Sequence, residues 1–326
     1  MARYIIKRIF LMIFVMFGVS LFVFAISRAS GDPVVMMLGD TYTKEQYDAM
    51  YIQMGMDKPY VVQYLSYIWD VLHLDFGISY FTKVPVIDEI ANRLPLSFTI
   101  AVCTLVISVP VGVIIGIVSA VKQNTVIDYA LTSFTLVLLA IPNFWLALLL
   151  ILLFGLHLNI LPASYNSTWQ SLILPCITLG MHPITQNARL TRTRMLEVIR
   201  QDYIRTARSK GLSERKVIWS HALKNAIVPV LTQVGANMSV MVGSSAVVEG
   251  IFNIPGLGSY IISAIGMRDF PALQGAVLVF SLYVSCVNLV VDILYGFVDP
   301  RIRAKYMSYK KKKVIKKTSA IEGVQA

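Results

Sequence analysis

The sequence predicts an all-α polytopic membrane protein with six transmembrane helices and both termini in the cytoplasm. Three observations lead there. Of 326 residues, 56% are apolar and only 14% charged, whereas a soluble domain carries about 25% charged residues. Apolar runs near 20 residues recur, which is the length a helix needs to cross the hydrocarbon core. Basic residues concentrate in a few of the connecting segments, and such asymmetry orients membrane helices. A barrel would instead show strands of about 10 residues alternating apolar with polar.

The first run, Ile9 to Ile26, follows Arg3, Lys7 and Arg8. Ala25-Ile26-Ser27 offers a weak cleavage pattern, but the run exceeds the usual signal-peptide core of about 7–15 residues, so an uncleaved span is expected. Phe98 to Val121 is the second span. Tyr129 to Leu156 is the third, long enough to cross with tilt and broken near Pro142. Ser171 to Ala188 is a fourth, weaker span, with Pro175, His182, Pro183, Gln186 and Asn187. Ala226 to Val248 is a fifth, with Gln233 and Asn237, and Ala272 to Phe297 a sixth, with Asn288 and Asp292.

Charge decides the orientation. Residues 28–93 hold five basic and nine acidic side chains, whereas residues 189–224 hold ten and three, and the tail from Asp299 nine and two. The positive segments belong in the cytoplasm. The expected organisation is residues 1–93 as first span and extracellular cap, 94–298 as transmembrane core with a cytoplasmic loop at 189–224, and 299–326 as a basic cytoplasmic tail. The lysines of the tail are expected to attract anionic lipid rather than nucleic acid.

Helices that face lipid all round have no reason to carry Gln186, Asn187, Gln233 and Asn237. Such groups pair between helices or line a water-filled pathway, and both readings remain open for these four. The spans that carry them flank the basic loop, which reads as two short helices around a turn. Met195 to Lys210 is helical in composition, with Leu196, Ile199, Tyr203, Ile204 and Ala207 along one side. Gly211 is placed to end that helix in the left-handed region, and Ser213 to cap the next. Small residues (Thr206, Ala207, Gly211) are expected at the tip, where another protein could approach.

The run Arg205-Thr206-Ala207-x-x-x-Gly211 resembles the "EAA" loop of binding-protein-dependent ABC importer permeases, in the R-T-A-R-x-K-G-L form of the dipeptide/oligopeptide/nickel branch. Further elements are similar in order along residues 1–303. They include Gly31-Asp32-Pro33, Leu74-Asp75-Phe76-Gly77-x-Ser79 and Lys122-Gln123-Asn124-Thr125 with Asp128-Tyr129. Glu249-Gly250-Ile251-Phe252-Asn253-Ile254-Pro255-Gly256-Leu257-Gly258, Arg268-Asp269-Phe270-Pro271 and Asp299-Pro300-Arg301-Ile302-Arg303 follow. The general motif has Glu and Ala where this chain has Arg205 and Thr206. The resemblance implies the type I importer permease fold. It also implies that Arg205, Thr206, Ala207 and Gly211, flanked by Asp202, Tyr203, Lys210 and Leu212, contact a cytoplasmic ATPase subunit. The implied partners are two ATPase subunits, a second homologous permease in a heterodimer, an extracellular substrate-binding protein and membrane lipid. The implied cargo is dipeptides or oligopeptides, with nickel or a metal chelate as the alternative.

The sequence offers nothing for a membrane-embedded enzyme. There is no H-E-x-x-H, no G-x-S-x-G and no intramembrane aspartate pair, and the four histidines are scattered. Filter-like sequences or rows of intramembrane charge that would mark a channel are equally missing. No G-x-x-x-x-G-K-S/T phosphate loop occurs. This chain is therefore expected to bind no cofactor, with ATP and Mg on partner chains. Cys103, Cys176 and Cys286 lie singly in apolar segments and suggest neither disulfide nor zinc.

Overall fold

The computed structural model describes residues 2–39 and 41–298. The tail at 299–326, expected to be basic and cytoplasmic, lies outside them, as does the side chain of Asp292. All regular elements among the described residues are helical. Helix α1 (Ala2–Ala29) leads to the short helices α2 (Pro33–Leu38), α3 (Lys44–Gln53) and α4 (Tyr60–Leu72). Then come α5 (Val86–Val121), α6 (Val126–Ala140) and α7 (Asn143–Leu150), which continues as a π-helical turn to His157. Helices α8 (Ile173–Ile199), α9 (Asp202–Ser209), α10 (Glu214–Lys216), α11 (Leu223–Ile251), α12 (Leu257–Met267) and α13 (Phe270–Val298) complete the fold.

By length and composition, α1, α5 and α13 can each cross a membrane, and the α6/α7 pair adds a fourth crossing if counted as one. Helices α8 and α11 have the length, at 27 and 29 residues, but their polar residues lower their apolar character. Thr178, Thr185, Asn187 and Thr191 of α8 are buried, so the polar residues of this helix are partly taken up by packing, whereas Gln186 stays exposed.

Three boundaries differ from expectation. Helix α5 starts at Val86, so it runs through the boundary drawn at residue 93. Asp88 and Glu89 sit in its first turn, where they interact favourably with the positive end of the helix dipole, and Glu89 pairs with Arg93 one turn on at 2.7 Å. Polar residues extend this helix rather than ending it. The third span is not a tilted rod, because α6 and α7 meet at 104°. Ile141 is extended at φ −81°, ψ 122°, the region that a following proline favours, and Pro142 then starts a new helix. Finally, α12 is a short apolar helix between α11 and α13 that the hydropathy pattern does not separate.

Helices α5 and α8 form the main packing contact of the bundle. Thr104, Ser108, Gly112 and Gly116 recur every four residues along α5 and are small enough to let backbones approach. At Gly116 a methyl group would lie 2.5 Å from the Ala188 carbonyl oxygen and from Thr191 Cβ. Three apolar clusters fill the rest, around Met195 and Ile204, around Ile100 and Phe252, and around Val86 and Ala272. None draws a buried residue from 30–75. The expected cap is therefore a set of helices without a core of its own, and α3 buries no residue.

Candidate coupling and pathway site

Helix α8 carries the chain out of the bundle and stops at Ile199. Arg200 remains near helical geometry, but Gln201 turns extended at φ −75°, ψ 149°, which starts α9 in a new direction. The continuous helix expected from Met195 to Lys210 is thus broken at Gln201. Met195 and Ile204 are fully buried, and Ala207 nearly so, against Val113, Ile117 and Ala120 of α5 and Val217, Ala222 and Ala226 of the returning segment. Helix α9 thus shares one buried cluster with residues of α5, α8 and α11, and packs chiefly on the Val217–Ala222 segment. The opposite face presents Asp202, Tyr203, Arg205, Thr206 and Lys210, all exposed.

The return after α9 is a glycine turn. Gly211 has φ +77°, a region that a residue with a Cβ enters at a cost of roughly 1–2 kcal/mol. A methyl there would meet nothing within 4 Å, so conformation, not space, requires glycine. Arg208 bridges the turn to Glu214, with Nε donating to Oε1 at 2.7 Å and Nη2 to Oε2 at 3.3 Å. That bond lowers the Glu214 carboxyl below its usual range. The pair is exposed and contributes about 0.2–1 kcal/mol. Leu212 is half-buried against the same cluster as Ile204. Ser213 precedes the next helix as expected, but its side chain makes no capping bond. From Glu214 the chain is helical through a π-helical stretch, Val217–Ala222, into α11.

Two of the eight residues expected at the coupling surface point inward. Ala207 is 6% exposed and Leu212 packs beside it, so they seat α9 on the bundle. The remaining six form one exposed face. Tyr203 also accepts a hydrogen bond from Asn225 Nδ2 at 2.8 Å, tying the start of α9 to α11.

Of the four polar residues expected in the spans, three come together. Gln233 Nε2 donates to Gln186 Oε1 at 3.3 Å and to Asn237 Oδ1 at 3.0 Å. This links α8 to α11 one to three turns from the basic segment. Asn187 is not in this group. It is fully buried on the α5 side of α8, where a methyl on Gly112 would lie 2.8 Å from its Cβ. The same polar layer holds His182 Nδ1, 3.0 Å from Asn143 Oδ1 of α7.

Residues beyond the expected site complete the picture. Asp128 at the start of α6 is buried, and Arg192 of α8 reaches it with Nη2 to Oδ2 at 2.7 Å and Nε to Oδ1 at 2.8 Å. Ser119 of α5 also donates to Asp128. One carboxylate thereby joins α5, α6 and α8 near the basic segment at 189–224. At the other end of α11, Glu249 is fully buried and accepts from Ser97 Oγ at 2.8 Å and the Ser259 amide at 3.0 Å. Ser97 Oγ in turn accepts from the Leu257 amide at 2.8 Å. Glu249 thus satisfies the open amide end of α12. Asp269 does the same for α13 through the Ala272 amide, and holds Ser79 at 2.5 Å. An acidic residue just ahead of an apolar run is the available signal for Asp128 and Asp269, whose partners Arg192 and Ser79 lie far away along the chain.

The family described as "Binding-protein-dependent transport system inner membrane component" matches residues 112–304, and its N-terminal companion matches residues 1–101. The chain belongs to this family. It is thus a multi-pass membrane permease subunit whose kind works with a substrate-binding protein. It is 39% identical over 312 residues to a putative peptide transport system permease protein of Brucella abortus, covering 93% of this chain and 99% of that protein. Against the dipeptide transport system permease protein DppB of Escherichia coli K12 identity is 36% over 338 residues, covering 94% and 100%. The glutathione transport system permease protein GsiC of Escherichia coli is 38% identical over 306 residues, covering 94% and 100%. Among solved structures, an inward-facing form of the MetNI methionine ABC transporter superposes with a TM-score of 0.55. Identity is 15%, covering 65% of this chain and 96% of that one. That likeness shows a shared type I importer permease fold.

Proposed function

We propose that this permease forms half of the translocation pathway of an ATP-driven importer of dipeptides or oligopeptides. The observation that carries the cargo is end-to-end similarity to peptide permeases, at 36–39% identity. In this reading six segments cross the membrane, with α8 and α11 as the polar pair, and both termini and α9 face the cytoplasm. A second, homologous permease supplies the other half of the pathway. Two ATPase subunits bind ATP and Mg and dock on Asp202, Tyr203, Arg205, Thr206, Lys210 and Gly211. An external binding protein delivers the peptide.

The geometry supports a mechanical account. Motion of α9 would be passed to the start of α11, because Ile204 and Ala207 share a buried cluster with Val217 and Ala222 and Asn225 of α11 donates to Tyr203; the same cluster includes Val113 of α5 and Met195 of α8. Gln186 lies 13 residues before Ile199 on α8, about 20 Å along the axis. Closure of the ATPases would tilt α8 against α11 and stretch or break the Gln186–Gln233 bond. ATP shifts access only through its different affinity for the two states, and α9 is where that difference would act. The polar layer of Gln186, Gln233 and Asn237 then lines the opened path and solvates the peptide backbone.

The test is uptake by the reconstituted four-subunit complex with its cognate binding protein. Labelled di- and tripeptides should accumulate with ATP and not without it. Accumulation of nickel but no peptide would overturn the peptide assignment.

A further inference from the structure

Helix α4 lies where a water-soluble cap helix should not. Tyr64 Oη is 2.7 Å from Ser20 Oγ of α1, and the Tyr64 ring is 6.0 Å from Phe17 and 5.3 Å from Phe24. Tyr67 stacks on Phe24 at 5.9 Å. The apolar part of α1 is Ile5–Ala29, 25 residues, so Phe17 is its midpoint. Ser20 lies nine residues from Ala29, about 14 Å along the helix axis. The Tyr64 hydroxyl therefore reaches the acyl region of the leaflet at the Ala29 end. Around it α1 is bare, with Phe17, Leu21 and Phe22 exposed, as for a helix against lipid.

The outer face of α4 has the same character. Val61, Leu65, Trp69 and Leu72 recur at helical spacing and are each more than 60% exposed. From Pro59 to Trp69 no residue is charged, while Asp57 and Lys58 precede and Asp70, His73 and Asp75 follow. Thirteen residues make about 20 Å of helix, too short to cross a bilayer. Polar ends, an apolar middle and contact with the lipid-facing side of a span describe a helix lying in the membrane surface.

We propose that α4 is an interfacial helix whose Val61–Leu65–Trp69–Leu72 face takes phospholipid acyl chains in the leaflet at the Ala29 end of α1. The neighbour of that face is lipid, because Val61 borders Leu21 and Ala25 of α1, and the outer face of α1 there is itself bare and apolar. Trp69 is the natural reporter, since indole prefers the headgroup boundary.

The experiment places the assembled complex in lipid nanodiscs containing phospholipid brominated near the glycerol. The permease carries Trp145→Phe, Trp169→Phe and Trp219→Phe, and the emission difference between that variant and one also carrying Trp69→Phe isolates Trp69. A parallel measurement on otherwise wild-type permease with and without Trp69→Phe gives the same difference without the other substitutions. The bromolipid is expected to lower Trp69 emission about twofold, with little effect of aqueous iodide. Quenching by iodide and not by bromolipid would mean that α4 stands in water. Quenching by neither would mean that a protein covers it. Either result overturns the proposal.

Discussion

Arg192 grips Asp128 with two parallel hydrogen bonds, 2.7 and 2.8 Å long, across the α6–α8 junction. The carboxylate side chain is 2% exposed and the guanidinium 30%. The partners are therefore unequal: Arg192 can turn to water and Asp128 cannot. Arg192→Ala should destabilise the permease, by up to about 3 kcal/mol, because it strands a buried charge. Asp128→Asn should cost less, since its amide keeps the Ser119 contact and Arg192 stays partly hydrated. Adding Asp128→Asn to Arg192→Ala should recover part of the loss. Thermal unfolding of the four proteins in nanodiscs measures the cycle, and strict additivity would show that the pair does not couple.

Gly211 is required by its backbone alone. Gly211→Ala should cost roughly 1–2 kcal/mol at the turn and leave the bundle intact, because the added methyl meets nothing. The strain would be relieved by re-aiming α9. Complexes should assemble at wild-type yield while uptake falls several-fold and ATPase stimulation by the binding protein is lost. Uptake at the wild-type rate would remove Gly211 from the coupling device.

What could be read in the sequence tracks the range of the forces involved. The glycine turn, the break at Pro142 and the long apolar helices α1, α5 and α13 follow from local backbone rules and hydropathy. The α8 extension to Ile199 and the early start of α5 are not legible in the sequence, because a polar helical run looks the same as a loop until a neighbour packs on it. Ala207 was placed at a tip because it is small, yet it is small because it is packed against Val217 and Ala222. Gln186, Gln233 and Asn237 read as polar groups in need of partners, and they hydrogen-bond to one another. Asn187, one residue on, shares their chemistry but points about 100° away round the helix, toward Gly112. Pairs such as Glu249 with Ser97 are 152 positions apart, and one sequence cannot show which distant residue meets a buried carboxylate.

Gly116→Ala tests the α5–α8 seam. Its methyl would press on the Ala188 carbonyl and Thr191, both fixed in α8, so the helices must part. Overpacking of this kind costs about 1–3 kcal/mol. Gly18→Ala in α1 is the control, since nothing lies within 4 Å of its added methyl. A lower melting temperature for the first variant and an unchanged or higher one for the second is the expected outcome. Equal melting temperatures would mean that the seam yields without cost.

Arg205 and Ile204 are neighbours on opposite faces of α9, which separates docking from seating. Arg205 is exposed and Ile204 fully buried. Arg205→Glu should leave melting within about 0.5 kcal/mol of wild type, while reversing a charge on the face that the ATPases would contact. Recovery of ATPase subunits in pull-downs should drop, and drop less at high salt, where surface charge is screened. Ile204→Ala should instead cost about 2–5 kcal/mol locally and speed amide exchange across residues 202–209, since the cluster holding α9 loses its centre. Recovery of ATPases should then fall independently of salt. If both variants lose the ATPases with the same salt dependence, the two faces do not have the separate roles that the packing assigns them.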